Sequence, residues 1–396
     1  MDRPYESNSR IARLRAAMDR LDPQWGTVLL VGRVNQYYFT GSMQDGLLVV
    51  RRDGPAVYFV RRSFDRACAE ADLSDVRPMD GYRDAAKALG AECRRTYLET
   101  EIATVAVVER LKRAFAMEAV LPVDRTVLEV RMIKSVYEIA CMEEAGRLHR
   151  RFLDDVLPGL LEEGMSEVDL TGRVYDEMLR FGGHGVARFS MFQNEVGTGQ
   201  IAFGESGLVR TSFDGPGGGL GMSPAVPFIG SRERCLRVGD LVFVDCGFGI
   251  DGYHSDCTQV YRFGAEPTEE MVRLHGICIA VEREAAEALR PGGIPSAIYE
   301  QALRRVGPEL ESHFMGFEGQ RAKFLGHGIG LHLDEPPVLA KGFDQPLVEG
   351  VTIALEPKIG IAGVGMVGVE DTYVVTPEGG RCLTGGGRPI VMVTRR

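Results

Sequence analysis

Carboxylate side chains follow apolar, strand-like runs in the second half of the chain. Leu241–Val244 leads into Asp245, and after a turn at Asp251-Gly252 the chain returns through Tyr253–Asp256 toward another strand. Asp is depleted in strands and is costly to bury. The pattern therefore predicts a hairpin in which Asp245 and Asp256 face each other. No Lys or Arg stands beside either residue in the sequence, so we expect a divalent cation to neutralise them.

A second pair of carboxylates repeats this arrangement. Thr352–Leu355 runs into Glu356, and Val367–Val369 runs into Glu370 ahead of strand Thr372–Val375. Four convergent carboxylates repel one another strongly unless cations are present. We therefore expect the two hairpins to share one metal site.

A histidine between glycines supplies a fifth candidate ligand. His327 lies in Gly326-His327-Gly328, where the glycines let another group approach the ring closely. A lone histidine is more often structural, but four strand-end carboxylates favour the ligand interpretation. Carboxylates with one imidazole suit a site for two divalent ions, with manganese preferred and iron(II), cobalt or zinc as alternatives, and they argue against calcium.

Length and composition restrict the class of protein. The 396 residues, 44% hydrophobic and 26% charged, predict two globular domains. The net charge of −10 argues against a nucleic-acid partner. No run of about 18 apolar residues is present, the polar start lacks the apolar core of a signal peptide, and the eight scattered cysteines fit free thiols. We expect a cytoplasmic protein with no membrane partner.

Residues 1–130 are expected to form a small α/β domain. The apolar periodicity and the β-branched runs predict helices and strands in this part of the chain. The predicted elements are helices at Arg10–Leu21 and Val105–Phe115, strands at Thr27–Val31, Leu47–Val50 and Ala56–Val60, and an aromatic-rich turn at Asn35–Gly41.

Residues 131–396 are expected to form the catalytic domain, in which a helix pair occurs twice. The predicted pattern is helix Glu138–Val156, a break at 157–159 and a helix capped by Ser166, then a helix capped by Thr268, a break at 291–292 and a helix capped by Ser296. Carboxylate-bearing strands follow each pair. This order favours an internal duplication with facing halves, although the same helix–Pro-Gly–helix pattern is common in unrelated proteins.

The segment between the halves, residues 204–230, is rich in Gly and Pro. Such a segment lines a site or is simply flexible. It is not followed by the strand-to-helix glycine motif of a phosphate-binding loop. We therefore expect no nucleotide or other organic cofactor.

The ligand segments resemble those of one known family. VDCGFGIDGYHSDCTQVY, FLGHGIGLHLDEPP, IALEP and GMVGVEDTYVVT are similar, in order, to the metal-binding segments of the creatinase/aminopeptidase P/methionine aminopeptidase family, the pita-bread metallopeptidases. NQYYFTG and RMIKSVYEI resemble the N-terminal domain and interdomain helix of its prolidase-like members. The resemblance implies an α+β fold, with a pita-bread domain of internal pseudo-two-fold symmetry after a smaller α/β domain, and a homodimer.

The resemblance also implies a role for each ligand. Asp245 would bind one ion, His327 and Glu356 the other, and Asp256 and Glu370 would bridge both. A hydroxide between the ions would attack the substrate carbonyl, and Glu356 would carry the proton to the leaving nitrogen. The implied enzyme is a hydrolase of the Xaa-Pro dipeptidase or aminopeptidase type, which cleaves a short peptide or a related C–N bond.

Three positions depart from the pattern of the proline-specific members. Phe228 and Asp334 stand where those enzymes carry substrate-binding histidines, and Gly368 stands where they usually carry Arg. We hypothesise that His332 and Asp334, together with His254, replace the missing histidines. The alternative for His254 is a solvent-facing position in the hairpin.

Two other functions stay open. A non-peptidase hydrolase or lyase that acts on a small molecule would explain the changed pocket. A binding module, like the histone-chaperone members that have lost the ligands, is disfavoured because all five ligand positions are retained. The intact ligand set also argues against the metal-free mechanism of creatinase.

Overall fold

The computed structural model describes residues 6–90, 95–190, 197 and 199–394. The chain divides into two compact units, Met1–Arg131 and Met132–Arg396. No helix within the described ranges is both long enough and apolar enough to cross a bilayer. The cysteines of those ranges are free thiols.

The first unit contains a six-stranded mixed sheet with helices around it. The order β4-β3-β2-β1-β5-β6 places the buried strand β1 near the centre. Its strands are β1 (Thr27–Leu30), β2 (Gly46–Arg51), β3 (Val57–Val60), β4 (Val76–Pro78), β5 (Arg95–Leu98) and β6 (Ala119–Pro122). Its helices are α1 (Ser7–Leu21), α2 (Arg33–Thr40), α3 (Phe64–Glu70), α4 (Tyr82–Leu89), α5 (Val105–Ala114) and α6 (Asp124–Met132), the last of which ends the unit.

Helix α2 replaces the turn predicted at Asn35–Gly41, so that prediction was wrong. The buried carboxylate of Glu99 accepts hydrogen bonds from the Gly32 amide at 2.6 Å and from Asn35 Nδ2 at 2.5 Å. A carboxylate at a helix N-terminus pairs with amides that have no partner inside the helix. Glu99 is 64 residues from Asn35 in sequence, so this stabilisation is not visible in the local aromatic pattern.

The second unit contains two larger sheets, each backed by helices, whose strands are antiparallel except for the parallel pair β19–β9. The first has the order β19-β9-β8-β7 and the second β13-β12-β14-β17-β18. The helices are α7 (Val136–Arg151), α8 (Leu157–Leu160), α9 (Glu167–Arg180), α10 (Glu269–Ala288) and α11 (Pro295–Val306). The strands are β7 (Gly199–Phe203), β8 (Leu241–Ile250), β9 (Tyr253–Phe263), β10 (Gly316–Phe317), β11 (Gln320–Arg321), β12 (Phe324–Gly328), β13 (Glu335–Ala340), β14 (Thr352–Leu355), β15 (Lys358–Ile361), β16 (Gly365–Gly368), β17 (Asp371–Thr376), β18 (Gly379–Cys382) and β19 (Val391–Val393).

The helix boundaries agree with the sequence in part. Ser166 and Thr268 cap α9 and α10. Their hydroxyl oxygens accept hydrogen bonds from the amides of Asp169 and Met271, at 3.1 and 3.3 Å respectively. The predicted break at 157–159 is wrong, because α7 passes through one π turn, Phe152–Val156, directly into α8. Pro158 follows this π turn at the second residue of α8, where the regular α-helical hydrogen bonds are already interrupted. The predicted Ser296 cap is also wrong, since Ser296 lies inside α11 and donates to Asp344 instead.

A buried histidine joins α7 to the β8–β9 hairpin. The ring nitrogens of His149 lie 3.2 Å from Ser255 Oγ and 3.3 Å from Cys246 Sγ. Burial, assisted by the charge of Arg150, lowers the pKa of His149 to about 3 from an ordinary value of 6.5. The folded protein therefore keeps this ring neutral at mildly acidic pH.

Replacing His149 with Gln is expected to make stability less dependent on pH. Between pH 6.5 and 3 only the unfolded chain protonates this histidine, so its contribution is complete above pH 6.5 and is lost as the pH falls. The free energy of unfolding of the wild type should therefore fall more steeply, by up to about 1.4 kcal/mol per pH unit, than that of the variant. Urea unfolding at several pH values measures both slopes, and equal slopes would contradict the assignment.

Candidate metal centre

Two carboxylates lie on one face of the β8–β9 hairpin. Asp245 is paired with Thr258, and Gly247 with Asp256. Because side chains alternate along a strand, Asp245 and Asp256 point to the same side of the sheet. The predicted hairpin is confirmed, with Asp251 in its turn at a φ of 50°. Both metal-ligand candidates lie within the strands, however, and not at their ends as the sequence suggested.

The second sheet brings the other candidates to the same place. His327 lies in β12, Glu356 directly follows β14, and Glu370 directly precedes β17. The Thr258 amide donates to the Glu370 carbonyl at 3.2 Å, and Thr258 Oγ1 donates to Glu370 Oε2 at 3.0 Å. These bonds fasten the second sheet to the strand that carries Asp256.

One subset of these side chains is arranged as a metal site. Donor atoms of Asp256, His327 and Glu370 all lie within 4.8 Å of one another. Glu356 is adjacent, with its Oε1 3.4 Å from His327 Nε2. Asp256 Oδ1 is buried and has no hydrogen-bond partner among the described residues. Metal–ligand distances of about 2.0–2.2 Å suit donors this close, so one divalent ion fits this subset.

A lysine that the sequence analysis did not single out lies at the centre of the cluster. Lys358 Nζ is 2.8 Å from Asp245 Oδ2, 3.0 Å from Glu356 Oε2 and 2.8 Å from Glu370 Oε2. The sequence predicts that a divalent cation neutralises Asp245, and the structure places the Lys358 ammonium next to that carboxylate. One sequence signal could have drawn attention to this lysine. Lys358 lies in a strand-like segment, Glu356-Pro357-Lys358-Ile359, where a lysine cannot reach solvent if the strand is buried.

The electrostatics of the cluster show an excess of negative charge. Burial raises the pKa of Asp245 to about 7, against the opposing charge of Lys358 and with a further contribution from Glu370, and burial and neighbouring carboxylates raise the pKa of Asp256 well above its usual value. Burial also raises the pKa of Glu356. Burial acts to lower the pKa of Lys358, but Asp245, Glu370 and Glu356 outweigh it and raise that pKa well above its ordinary value. The ammonium stays charged, and the carboxylates still favour a further cation.

Gly368 has a steric explanation in this cluster. It pairs directly with Lys358 across β15 and β16 and has a φ of +145°. A Cβ at this position would lie 2.6 Å from Lys358 Cα and 2.8 Å from Lys358 Cγ, and it would press against the Pro357 carbonyl oxygen. A side chain at 368, including the Arg of the family pattern, is therefore incompatible with the backbone at 357–358 in its observed place.

Replacing Gly368 with Ala is expected to lower the free energy of unfolding by clearly more than about 1 kcal/mol. The cost combines the unfavourable φ with the collision against the Pro357 carbonyl oxygen and Lys358. Gly363→Ala is the matched control, since its φ is +71° and a Cβ there meets nothing within 4 Å. Denaturant unfolding should give Gly368→Ala a clearly lower free energy of unfolding than Gly363→Ala. Equal costs would show that φ alone accounts for the glycine.

The proposed substitutes for the missing histidines are only partly in a position to act. His254 is buried, and its ring nitrogens face the carbonyl oxygens of Gly330 at 2.9 Å and Val186 at 3.0 Å. The solvent-facing alternative is therefore wrong, and the ring fastens two loops together. Asp334 accepts the Ser190 amide at 2.7 Å, and burial raises its pKa while the nearby His327 opposes that rise. His332 is buried, and its amide donates to Glu335.

Phe228 lines a small pocket beside the Asp245 strand. Gln200, Phe213 and Gly218 line the same pocket. Gln200 is paired with Asp245 across β7 and β8, so its side chain faces the same side of the sheet. Phe213 and Gly218 belong to the glycine-rich segment, which therefore lines this pocket, while its role in a functional site stays a prediction.

Comparison with known proteins places the two units in known families. Residues 140–377 match the model of metallopeptidase family M24, and residues 10–133 match the creatinase/prolidase N-terminal domain. An uncharacterized peptidase of Staphylococcus aureus strain USA300 is 26% identical over 92% of this chain and 94% of its own length. The Xaa-Pro dipeptidase of Pyrococcus horikoshii is 23% identical over 97% of this chain and 99% of its own.

Solved structures confirm the predicted fold. The prolidase from Pyrococcus horikoshii OT3 superimposes with a TM-score of 0.79 at 23% identity, covering 97% of this chain and 100% of that one. The X-Pro aminopeptidase from Thermotoga maritima gives 0.76 at 22% identity, covering 95% and 99%. Both units of the expected architecture, the pita-bread domain and the smaller α/β domain before it, are accounted for. The chain belongs to metallopeptidase family M24.

Proposed function

We propose that this chain is a metal-dependent hydrolase that cleaves an amide or related C–N bond in a dipeptide, a short peptide or a small molecule. The observation that supports this proposal most directly is the meeting of the partly exposed His327 with the buried carboxylates of Asp256, Glu356 and Glu370 in one cluster. Membership of family M24 and the similarity to a protein named as an Xaa-Pro dipeptidase support the same reaction class.

The residues that would hold a metal ion are Asp256, His327 and Glu370. When bound, a divalent ion supplies Lewis acidity, which polarises a carbonyl group and makes water a better nucleophile. Glu356 is the proton carrier in this proposal. Its raised pKa suits a group that accepts a proton from the attacking water and passes it to the leaving nitrogen. Lys358 holds Asp245, Glu356 and Glu370 in place.

The two-ion mechanism expected from the sequence needs a second cation beside Asp245. Lys358 Nζ lies 2.8 Å from that carboxylate, in the space such an ion would need. In the proposed mechanism Asp245 is therefore the ion-pair partner of Lys358. The homodimer and the cytoplasmic location implied by the sequence stay predictions.

A small-molecule substrate is the second candidate. Its support is the altered substrate side, where Phe228 and Asp334 replace histidines and Gly368 leaves no place for the Arg. Asp334, near His327, and His332 are the residues proposed to contact the scissile group in either case. An unchanged turnover in His332→Ala would remove that residue from the proposal.

The test is a substrate screen on protein supplied with manganese, cobalt or iron(II). X-Pro dipeptides, other dipeptides and small lactams or amidines are incubated separately, and the products are identified by mass spectrometry. Cleavage of dipeptides supports the peptidase form, and cleavage only of small amides or amidines supports the second candidate. No hydrolysis of either group by metal-loaded protein would contradict the proposal.

A further inference from the structure

Lys358 meets the requirements of a built-in cation. Its side chain is fully buried, and each of its three ammonium protons faces a different carboxylate, at 2.8, 3.0 and 2.8 Å. A lysine ammonium carries three donors, so none is left over for solvent or substrate. The side chain therefore serves only the cluster itself.

The surrounding chain leaves room for this lysine. Its cross-strand partner is Gly368, at which any Cβ would collide with the Pro357 carbonyl oxygen and Lys358 Cα, and then with Cγ of the lysine side chain. The lysine stem fills the space beside the strand, and the ring of Phe243 lies beyond the ammonium, with its centroid 5.8 Å from Nζ. Lys358 and Gly368 therefore pack against each other as a cross-strand pair.

The lysine and a metal ion cannot share this position. An ion bound to Asp245 Oδ2 and Glu370 Oε2 at about 2.0–2.2 Å would overlap Nζ, which is 2.8 Å from both oxygens. The donor atoms of Asp256, His327 and Glu370 form a separate group that does not include Asp245, and Asp256 Oδ1 has no hydrogen-bond partner among the described residues. One cation position is therefore taken, and one is available.

We propose that the Lys358 ammonium takes the place of one of the two metal ions that this arrangement of ligands would otherwise hold, so that the site binds a single divalent ion. The four carboxylates carry up to −4, which Lys358 reduces to −3 and one divalent ion to −1. Lys358 without a metal ion would leave most of that negative charge without a counterion. A second divalent ion would need the position that the lysine ammonium already occupies. The inference rests on the same site as the proposed function but not on its reaction.

The test counts the ions bound per chain in the absence of substrate. Metal-free full-length protein is titrated with Mn²⁺ by calorimetry, and bound manganese is measured by elemental analysis and electron paramagnetic resonance. The wild type should bind one ion per chain and show no exchange-coupled spectrum. Lys358→Gly, which opens the position, should gain a second ion and a coupled spectrum. Lys358→Met, which fills the space without charge, should stay at one.

Lys341→Gly, at an exposed lysine, is the control and should bind one ion. Two ions or none in the wild type would overturn the inference, and so would a folded Lys358→Gly that stays at one ion. If Lys358→Gly does not fold, as circular dichroism would show, the wild-type count and spectrum still decide. A wild type with one ion and no hydrolytic activity would contradict the proposed function while supporting this inference.

Discussion

Replacing Glu356 with Gln is expected to lower kcat by about 10²- to 10⁴-fold while the chain stays folded. Glu356 Oε1 lies 3.4 Å from His327 Nε2, and Oε2 accepts a hydrogen bond from Lys358. The amide keeps the shape of the side chain but cannot take a proton. The measurement is steady-state kinetics on the substrate found by the screen, at a saturating concentration of metal.

The control for this variant is Glu349→Gln, at an exposed glutamate, which should retain wild-type kinetics. The number of ions bound to Glu356→Gln must be measured in the same preparation, because loss of the ion would also lower activity. A metal-loaded Glu356→Gln with kcat within a few-fold of the wild type would show that another group carries the proton.

Replacing Lys358 with Met is expected to lower the free energy of unfolding by about 3–5 kcal/mol. Methionine fills a similar space but leaves the carboxylates of Asp245, Glu356 and Glu370 without their shared cation. Removing one partner from a buried ion pair costs far more than the intact pair contributes, since the remaining charge stays desolvated. Denaturant unfolding of metal-free protein at neutral pH measures the loss.

A double variant separates charge from packing. Asp245→Asn alone removes one partner of Lys358, and in the Lys358→Met background it removes one of the unpaired carboxylates. We expect the double variant to be more stable than the sum of the single effects predicts, because the two residues are in direct contact. Strictly additive effects, or a Lys358→Met variant within about 1 kcal/mol of the wild type, would mean that the cluster is stable without the ammonium.

Local patterns were sufficient to predict much of this fold. The caps at Ser166 and Thr268 depend on residues three positions away, and the β8–β9 hairpin depends on apolar runs around one turn. The elements that the sequence missed depend on distant partners. Helix α2 begins where the Glu99 carboxylate accepts a hydrogen bond from the Gly32 amide. The Ser296 hydroxyl, which was predicted to cap a helix, donates a hydrogen bond to Asp344 instead.

The candidate site likewise combines features that are local in sequence with features that depend on distant residues. The five candidate ligands could be named from apolar runs, flanking glycines and order along the chain, because those features are local, and the structure groups donor atoms of three of them, Asp256, His327 and Glu370. The role of Lys358 could not, because it depends on which way a buried strand turns its side chains toward Asp245, more than a hundred residues earlier. His254 also needed the structure, since its two carbonyl partners lie in separate loops.

The cross-strand pair of Lys358 and Gly368 also restricts how this site can be redesigned. A Cβ at 368 would lie closest to the Pro357 carbonyl oxygen and to Lys358 Cα, which are backbone atoms, and only then to Lys358 Cγ. Shortening the side chain at 358 therefore does not make room for a side chain at 368. An engineer who wishes to place Arg at 368 must move strand β15 away from β16, because no substitution at 358 removes the collision with the backbone.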